Sequence, residues 1–154
     1  MTAAHEYFMD LALREAEKGV AEGNKPVGAL IVLDGVVIGT GRNTVDRERD
    51  PTNHAEIVAI RAACRTQKSE TLAGATLYST MEPCPMCLWA LHIAGINQLV
   101  LGGRHASMQR PDLGDYSVEK LLSLTRQQLD LVTGVRTREC EDTRRAWRKQ
   151  TGRL

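Results

Sequence analysis

Apolar residues recur at helical spacing over residues 6–21, where Phe8, Leu11, Ala12, Ala16 and Val20 mark one face and Gly23 and Pro26 end the pattern. Two β-rich runs, 27–33 and 36–40, flank Asp34-Gly35, a pair suited to a tight hairpin. Residues 42–53 are polar and read as loop, with Thr52 or Asn53 as the cap of a helix that carries Ile57, Ile60, Ala63 and Cys64 on one face. Residues 75–80 predict a strand. Pro83-Cys84-Pro85 opens a further helix through Leu88, Leu91 and His92 to Gly95, and 98–101 predicts the next strand. A long polar loop covers 102–117. A helix over 118–124, a strand over 134–138 and a last helix over 139–150 complete the pattern. Strands alternating with helices predict an α/β layered sheet.

Composition narrows the class. At 154 residues, 42% hydrophobic and 25% charged, the chain fits one domain spanning 1–154, with a core that needs no covalent staples. The net charge of +1 and plentiful apolar residues argue against disorder. No apolar run approaches the ~18 residues of a membrane span, so no membrane partner is expected. The first residues carry neither a basic head nor an apolar core, which predicts a cytoplasmic protein. Aromatics are scarce at 4%, which argues against a nucleic-acid surface made of stacking platforms.

The chemistry gathers in three pieces: Asn43, His54-Ala55-Glu56, and Pro83-Cys84-Pro85-Met86-Cys87. Two cysteines three apart at a helix start can address one ion, and a helix N-terminus favours the thiolate. With His54, expected in the first turn of its own helix, they would make a three-ligand zinc site. Three ligands leave the fourth tetrahedral position open, the catalytic arrangement, in which a water can ionise near neutral pH. Glu56 would move that water's proton. On a regular helix, however, residues two apart diverge by about 200°. His54 and Glu56 can share a site only through an irregular first turn, or if the glutamate reaches round the far side of the metal. Cys64 and Cys140 lack such company and read as packing thiols.

His54-Ala-Glu56 followed by Pro83-Cys84-x-x-Cys87 resembles the cytidine/deoxycytidylate deaminase superfamily of zinc nucleobase deaminases, over most of the chain from the first helix to about Leu101. The resemblance implies a three-layer α/β/α sandwich around a mixed five-stranded sheet. It implies one Zn²⁺ per subunit held by His54, Cys84 and Cys87, proton shuttling by Glu56, base contacts from Asn43 and the backbone around Ala55, and a homodimer.

Within the superfamily, Pro83-Cys-Pro-Met-Cys-Leu88 and His105 after Arg104 are most similar to guanine deaminases, with Asp112 or Asp115 placed to read the guanine edge. The tail resembles cytosine deaminases that close the pocket with a terminal helix, where Trp147 could serve. The expected reaction is hydrolytic deamination of a small nucleobase or nucleoside, guanine first and cytosine second, releasing ammonia. Residues 136–153 hold seven basic residues against three acidic ones, a possible phosphate contact for RNA. A tRNA-specific adenosine deaminase is therefore the alternative, and a non-catalytic zinc-binding module is the alternative from another class.

Overall fold

The computed structural model describes residues 2–154. Helix α1 (Ala3–Ala21) starts at Thr2, whose hydroxyl accepts from the His5 N–H at 3.2 Å. Its buried face is Met9, Ala12, Leu13, Glu15, Ala16 and Gly19, a stripe rotated slightly from the one the apolar residues alone suggest. The rotation follows from Glu15, which is buried because Arg42 (2.9 Å) and Lys18 (2.8 Å) neutralise it. Strands β1 (Gly28–Leu33) and β2 (Val36–Arg42) form the expected hairpin, with Asp34 and Gly35 both at positive φ.

The polar stretch after β2 contains a short helix, α2 (Val45–Glu48), before α3 (Ala55–Gln67). Strand β3 (Thr76–Met81), helix α4 (Pro85–Ile93) and strand β4 (Gln98–Gly103) follow. The long loop predicted after β4 holds a single helical turn, α5 (His105–Met108), and a 3₁₀ turn at Pro111–Leu113. Helix α6 (Val118–Thr125), strand β5 (Asp130–Val132) and helix α7 (Thr137–Thr151) end the chain. The last strand thus lies upstream of the predicted 134–138. Gly134 at φ 83° and Arg136 at φ 53° break the extended run there, so Val135 caps the core instead of pairing.

The sheet order is β2-β1-β3-β4-β5, antiparallel for β1 with β2 and β3, and parallel for β3 with β4 and β4 with β5. This is the expected mixed five-stranded sheet between two helical layers. Side chains alternate along each strand. Ala29, Ile31, Leu77, Leu99 and Leu101 face α3, α4 and α6, whereas Leu30, Val32, Tyr78 and Val100 face α1 and α7. Helix α3 lies close on β2 because Gly39 and Gly41 lack side chains; a Cβ on Gly41 would collide with the Ala55 backbone. Cys140 packs in the core on the α1 and α7 face, and Cys64 lies partly buried against the core on the other face. Among the described residues no helix is long and apolar enough to cross a membrane.

Candidate active site

Strands β2, β3 and β4 run the same way, because β1 is antiparallel to both of its neighbours. Their C-terminal ends therefore reach one edge, where crevices form in sheets of this kind. Asn43 follows β2, Glu82 and Cys84 follow β3, and His105 follows β4, while Lys25 and Val27 enter the antiparallel β1 at the same edge. These residues line one cavity of about 230 Å³, together with His54, Ala55, Glu56, Arg110, Asp112 and Arg144.

His54 is not in the first turn of α3. It is the N-cap, with extended backbone (φ −67°, ψ 153°), and helical geometry begins only at Ala55. The residue is thus freed from the helical phase of Glu56, which removes the 200° divergence expected of a continuous helix. Cys84 caps α4 in the same way (φ −68°, ψ 171°), with Pro85 in the first turn and Cys87 just inside it. Nδ1 of His54 lies 3.5 Å from Sγ of both cysteines. Zinc–nitrogen bonds of ~2.0–2.1 Å and zinc–sulfur bonds of ~2.3 Å at a tetrahedral angle separate the donors by about 3.6 Å, so the group fits the ion. The three donors form the only such group among the described residues.

Without the ion, the two thiols differ. Cys84 is held down to about 4, first by the hydrogen bond from the Cys87 thiol and then by His54, against the cost of burial. Cys87, fully buried beside Cys84 and Glu56, is pushed far up. His54 is raised by its hydrogen bond to Cys84.

Glu56 is 3% exposed, and burial raises its carboxyl above the ordinary range. Its Oε2 lies 3.5 Å from Cys87 Sγ, which sets the carboxyl beside the metal donors. The Ser79 hydroxyl lies 2.9 Å from the other oxygen and 2.7 Å from the Met81 carbonyl.

The remaining sequence candidates divide. Asn43 is buried, and its carbonyl oxygen accepts from the Val45 N–H (3.1 Å), leaving its NH₂ to donate to a ligand. Ala55 is buried in the cavity wall. His105 lines the cavity with both ring nitrogens unpartnered, and burial lowers its pKa. Asp112 also lines it but is paired with Arg110 at 2.8 and 2.9 Å, which holds the carboxyl at about 2. Asp115 lies outside this cavity, on an exposed neighbouring groove, because Gly114 at φ 53° turns the chain away. Trp147 is buried between the guanidinium groups of Arg144 (5.2 Å) and Arg153 (5.1 Å) and does not line the cavity.

Sequence reasoning missed Lys25, Ser79, Glu82 and Arg110 as site residues, and placed Arg144 only within the basic segment 136–153. Ser79 and Glu82 stand just before Pro83-Cys84, whereas Lys25, Arg110 and Arg144 are far from the motifs and meet the cavity only in the folded chain. Glu82 ties the wall together, accepting from the N–H groups of His105 (3.0 Å) and Val118 (2.9 Å) and pairing with Arg104 (3.1 Å).

Residues 2–103 match the family described as the cytidine and deoxycytidylate deaminase zinc-binding region. The chain belongs to this family. Its donor set and the family together specify one zinc ion per chain. Among relatives of this deaminase family, the chain is 45% identical over 95 residues to the tRNA-specific adenosine deaminase of Aquifex aeolicus, a match covering 62% of this chain and 63% of that protein. It is 38% identical over 117 residues to the guanine deaminase of Bacillus subtilis, covering 75% of each. A structure from work on A-to-I editing by tRNA:A34 deaminases superposes with a TM-score of 0.79 at 36% identity, covering 89% of this chain and 98% of that one.

Proposed function

We propose that this chain is a zinc-dependent hydrolase that removes the exocyclic amine from a nucleoside base, adenine in preference to guanine, releasing ammonia. The observation that carries the reading is Glu56, a buried carboxyl with a raised pKa directly beside the three metal donors and open to the cavity. A non-catalytic zinc module would have no use for it.

When bound, zinc supplies a Lewis acid that brings the pKa of a water down toward ~7. With the ion held by His54, Cys84 and Cys87, Glu56 would take one proton from the attacking water and deliver it to the ring nitrogen beside the carbon under attack. It would then take the proton of the hydroxyl now on that carbon and pass it to the leaving amine as the carbon–nitrogen bond breaks and the carbonyl forms. The Asn43 NH₂ orients the nucleoside, and His105, neutral because it is buried, can donate to or accept from the base.

Two considerations favour adenine. Guanine presents N–H donors that need a carboxylate, yet Asp112 is committed to Arg110 and Asp115 lies outside the cavity. The relatives include several tRNA-specific adenosine deaminases at 34–45% identity. Guanine stays as the second reading, supported by the Bacillus subtilis relative. The assembly we propose is a homodimer, supported by the exposed Trp89 (38%) and Ile93 (73%) on α4, and the four free thiols suit the cytoplasm.

Ammonia release measured over adenosine, guanosine, cytidine, their free bases and an RNA anticodon stem-loop tests the reading. Turnover of adenosine or the stem-loop supports it. Exclusive turnover of guanine would overturn the adenine assignment, and no turnover of any substrate by the zinc-loaded chain would overturn the enzyme.

A further inference from the structure

We infer that the substrate carries a phosphate group and that Arg144, with Lys25, takes it inside the catalytic cavity; the inference rests on the nucleoside reading above.

Arg144 is 2% exposed, yet its Nε and Nη2 have no hydrogen-bond partner, and no carboxylate pairs with it among the described residues. A buried guanidinium without a counter-charge is costly, and such groups are ordinarily paired. Lys25 and Arg110 line the same cavity. The nearby acids are already engaged. Asp112 is held by both nitrogens of Arg110, and Glu82 by Arg104 and two backbone N–H groups, while Glu56 sits with Ser79. Arg110 is thus balanced by Asp112, which leaves Arg144 and Lys25 on the cavity wall without an ion pair among the described residues. Burial, and then the neighbouring Arg110 and Arg148, bring Arg144 down to about 10, and Lys25 is lowered by burial and then by Arg144 and Arg110.

A neutral base offers nothing that repairs this deficit. A phosphate does, because its oxygens accept forked hydrogen bonds from guanidinium groups. Trp147, stacked on Arg144 at 5.2 Å, holds the guanidinium in place, which gives this tryptophan a positioning role behind the cavity wall. Of the other cations in this tail, Arg145 pairs with Glu141 and Asp142, Arg138 with Asp142 and Arg153 with Asp46, whereas Arg148 donates only to the Met108 carbonyl and Lys149 has no ion pair among the described residues. Of α7's cations only Arg144 lines the cavity, so the recognition we infer is interior. Either a mononucleotide or the phosphate flanking one nucleotide of an RNA could present the group.

Calorimetric titration of the zinc-loaded protein in a Glu56→Gln background, where ligand is not consumed, separates the outcomes. The 5′- and 3′-monophosphates of adenosine are compared with adenosine, and the GMP–guanosine and CMP–cytidine pairs are measured alongside. At least one adenosine monophosphate should bind at least ~10-fold tighter than adenosine, and adding Arg144→Gln should bring that ratio below about 3. Lys25→Met should reduce the ratio too and serves as the readout if Arg144→Gln does not fold. Arg138→Gln, on the outer face of the same helix, should preserve it. An adenosine-bearing stem-loop that loses affinity with Arg144→Gln while the mononucleotides show no preference assigns the phosphate to RNA. A preferred GMP or CMP with the ratio intact overturns adenine and leaves the phosphate site standing. Ratios near 1 for every base, with a stem-loop indifferent to Arg144→Gln, overturn the inference.

Discussion

The Ser79 hydroxyl lies 2.9 Å from Glu56 Oε1, and the two residues share one proton's worth of choice. When Glu56 is protonated it can donate to Ser79, which then donates to the Met81 carbonyl 2.7 Å away; when Glu56 is ionised, the hydroxyl can turn to the carboxylate. Glu56→Gln should keep the fold and the zinc while lowering the rate of ammonia release by at least ~10²-fold. A variant as fast as wild type would remove Glu56 from the chemistry. Ser79→Ala withdraws a hydrogen bond that lowers the Glu56 pKa, so the acidic limb of the pH–rate profile should move to higher pH.

Burial raises the Glu56 pKa above its reference of 4.5, so the folded state prefers the protonated carboxyl. That preference is fully present below pH 4.5 and is lost as pH rises through the folded-state pKa. Glutamine cannot ionise. Metal-stripped Glu56→Gln should therefore be more stable than metal-stripped wild type at neutral pH, by a margin that shrinks toward pH 4. Urea denaturation at several pH values measures the margin, and a constant difference would contradict the burial argument.

Removal of one metal donor leaves a site of two. Cys87→Ser should abolish stoichiometric zinc by elemental analysis and reduce activity to background. A chelator should lower the melting temperature of the wild-type protein and leave the variant's unmoved, because zinc binding stabilises only a fold that assembles the donors. Equal zinc content in both proteins would show that the ion lies elsewhere.

Glu82, whose side chain is 1% exposed, depends on Arg104 for its counter-charge. Arg104→Ala leaves a buried carboxylate held by two N–H groups, and should cost about 3–5 kcal/mol in urea denaturation. Because Glu82 anchors His105 and Val118, the intervening segment should also become more open to proteolysis. A loss near zero would mean that the two backbone bonds suffice.

Gly41 meets the Ala55 backbone where β2 passes under the start of α3. Gly41→Ala must push α3 outward and should destabilise the fold by about 1–3 kcal/mol. The helix start carries His54 and Glu56, so zinc affinity, measured by competition with a chromophoric chelator, should fall with it. Unchanged affinity would uncouple the packing from the site.

Much of this protein can be read along the chain. The hairpin at Asp34-Gly35, the alternation of strands and helices and the Cys84–Cys87 pair all depend on neighbouring residues: turn chemistry, side-chain periodicity and ligand spacing act over a few positions, and His54 joins the pair by the resemblance of its own short motif. The limits of that reading are equally physical. The strand expected at 134–138 was displaced to Asp130–Val132, because register against β4 is a long-range choice that local propensity does not make. The facing of His54 toward Glu56 turned on which residue caps α3, a decision between Thr52, Asn53 and His54 that tertiary packing makes. Asp115 and Trp147, attractive by type and position, lie off the cavity, whereas Arg144 joins Lys25 across more than a hundred residues. The sequence by itself determined the sheet-and-helix class, the metal donors and the acid between them. Only the tertiary structure decided which charges face the substrate, since the ends of separate strands converge in space without any signature in the local chain.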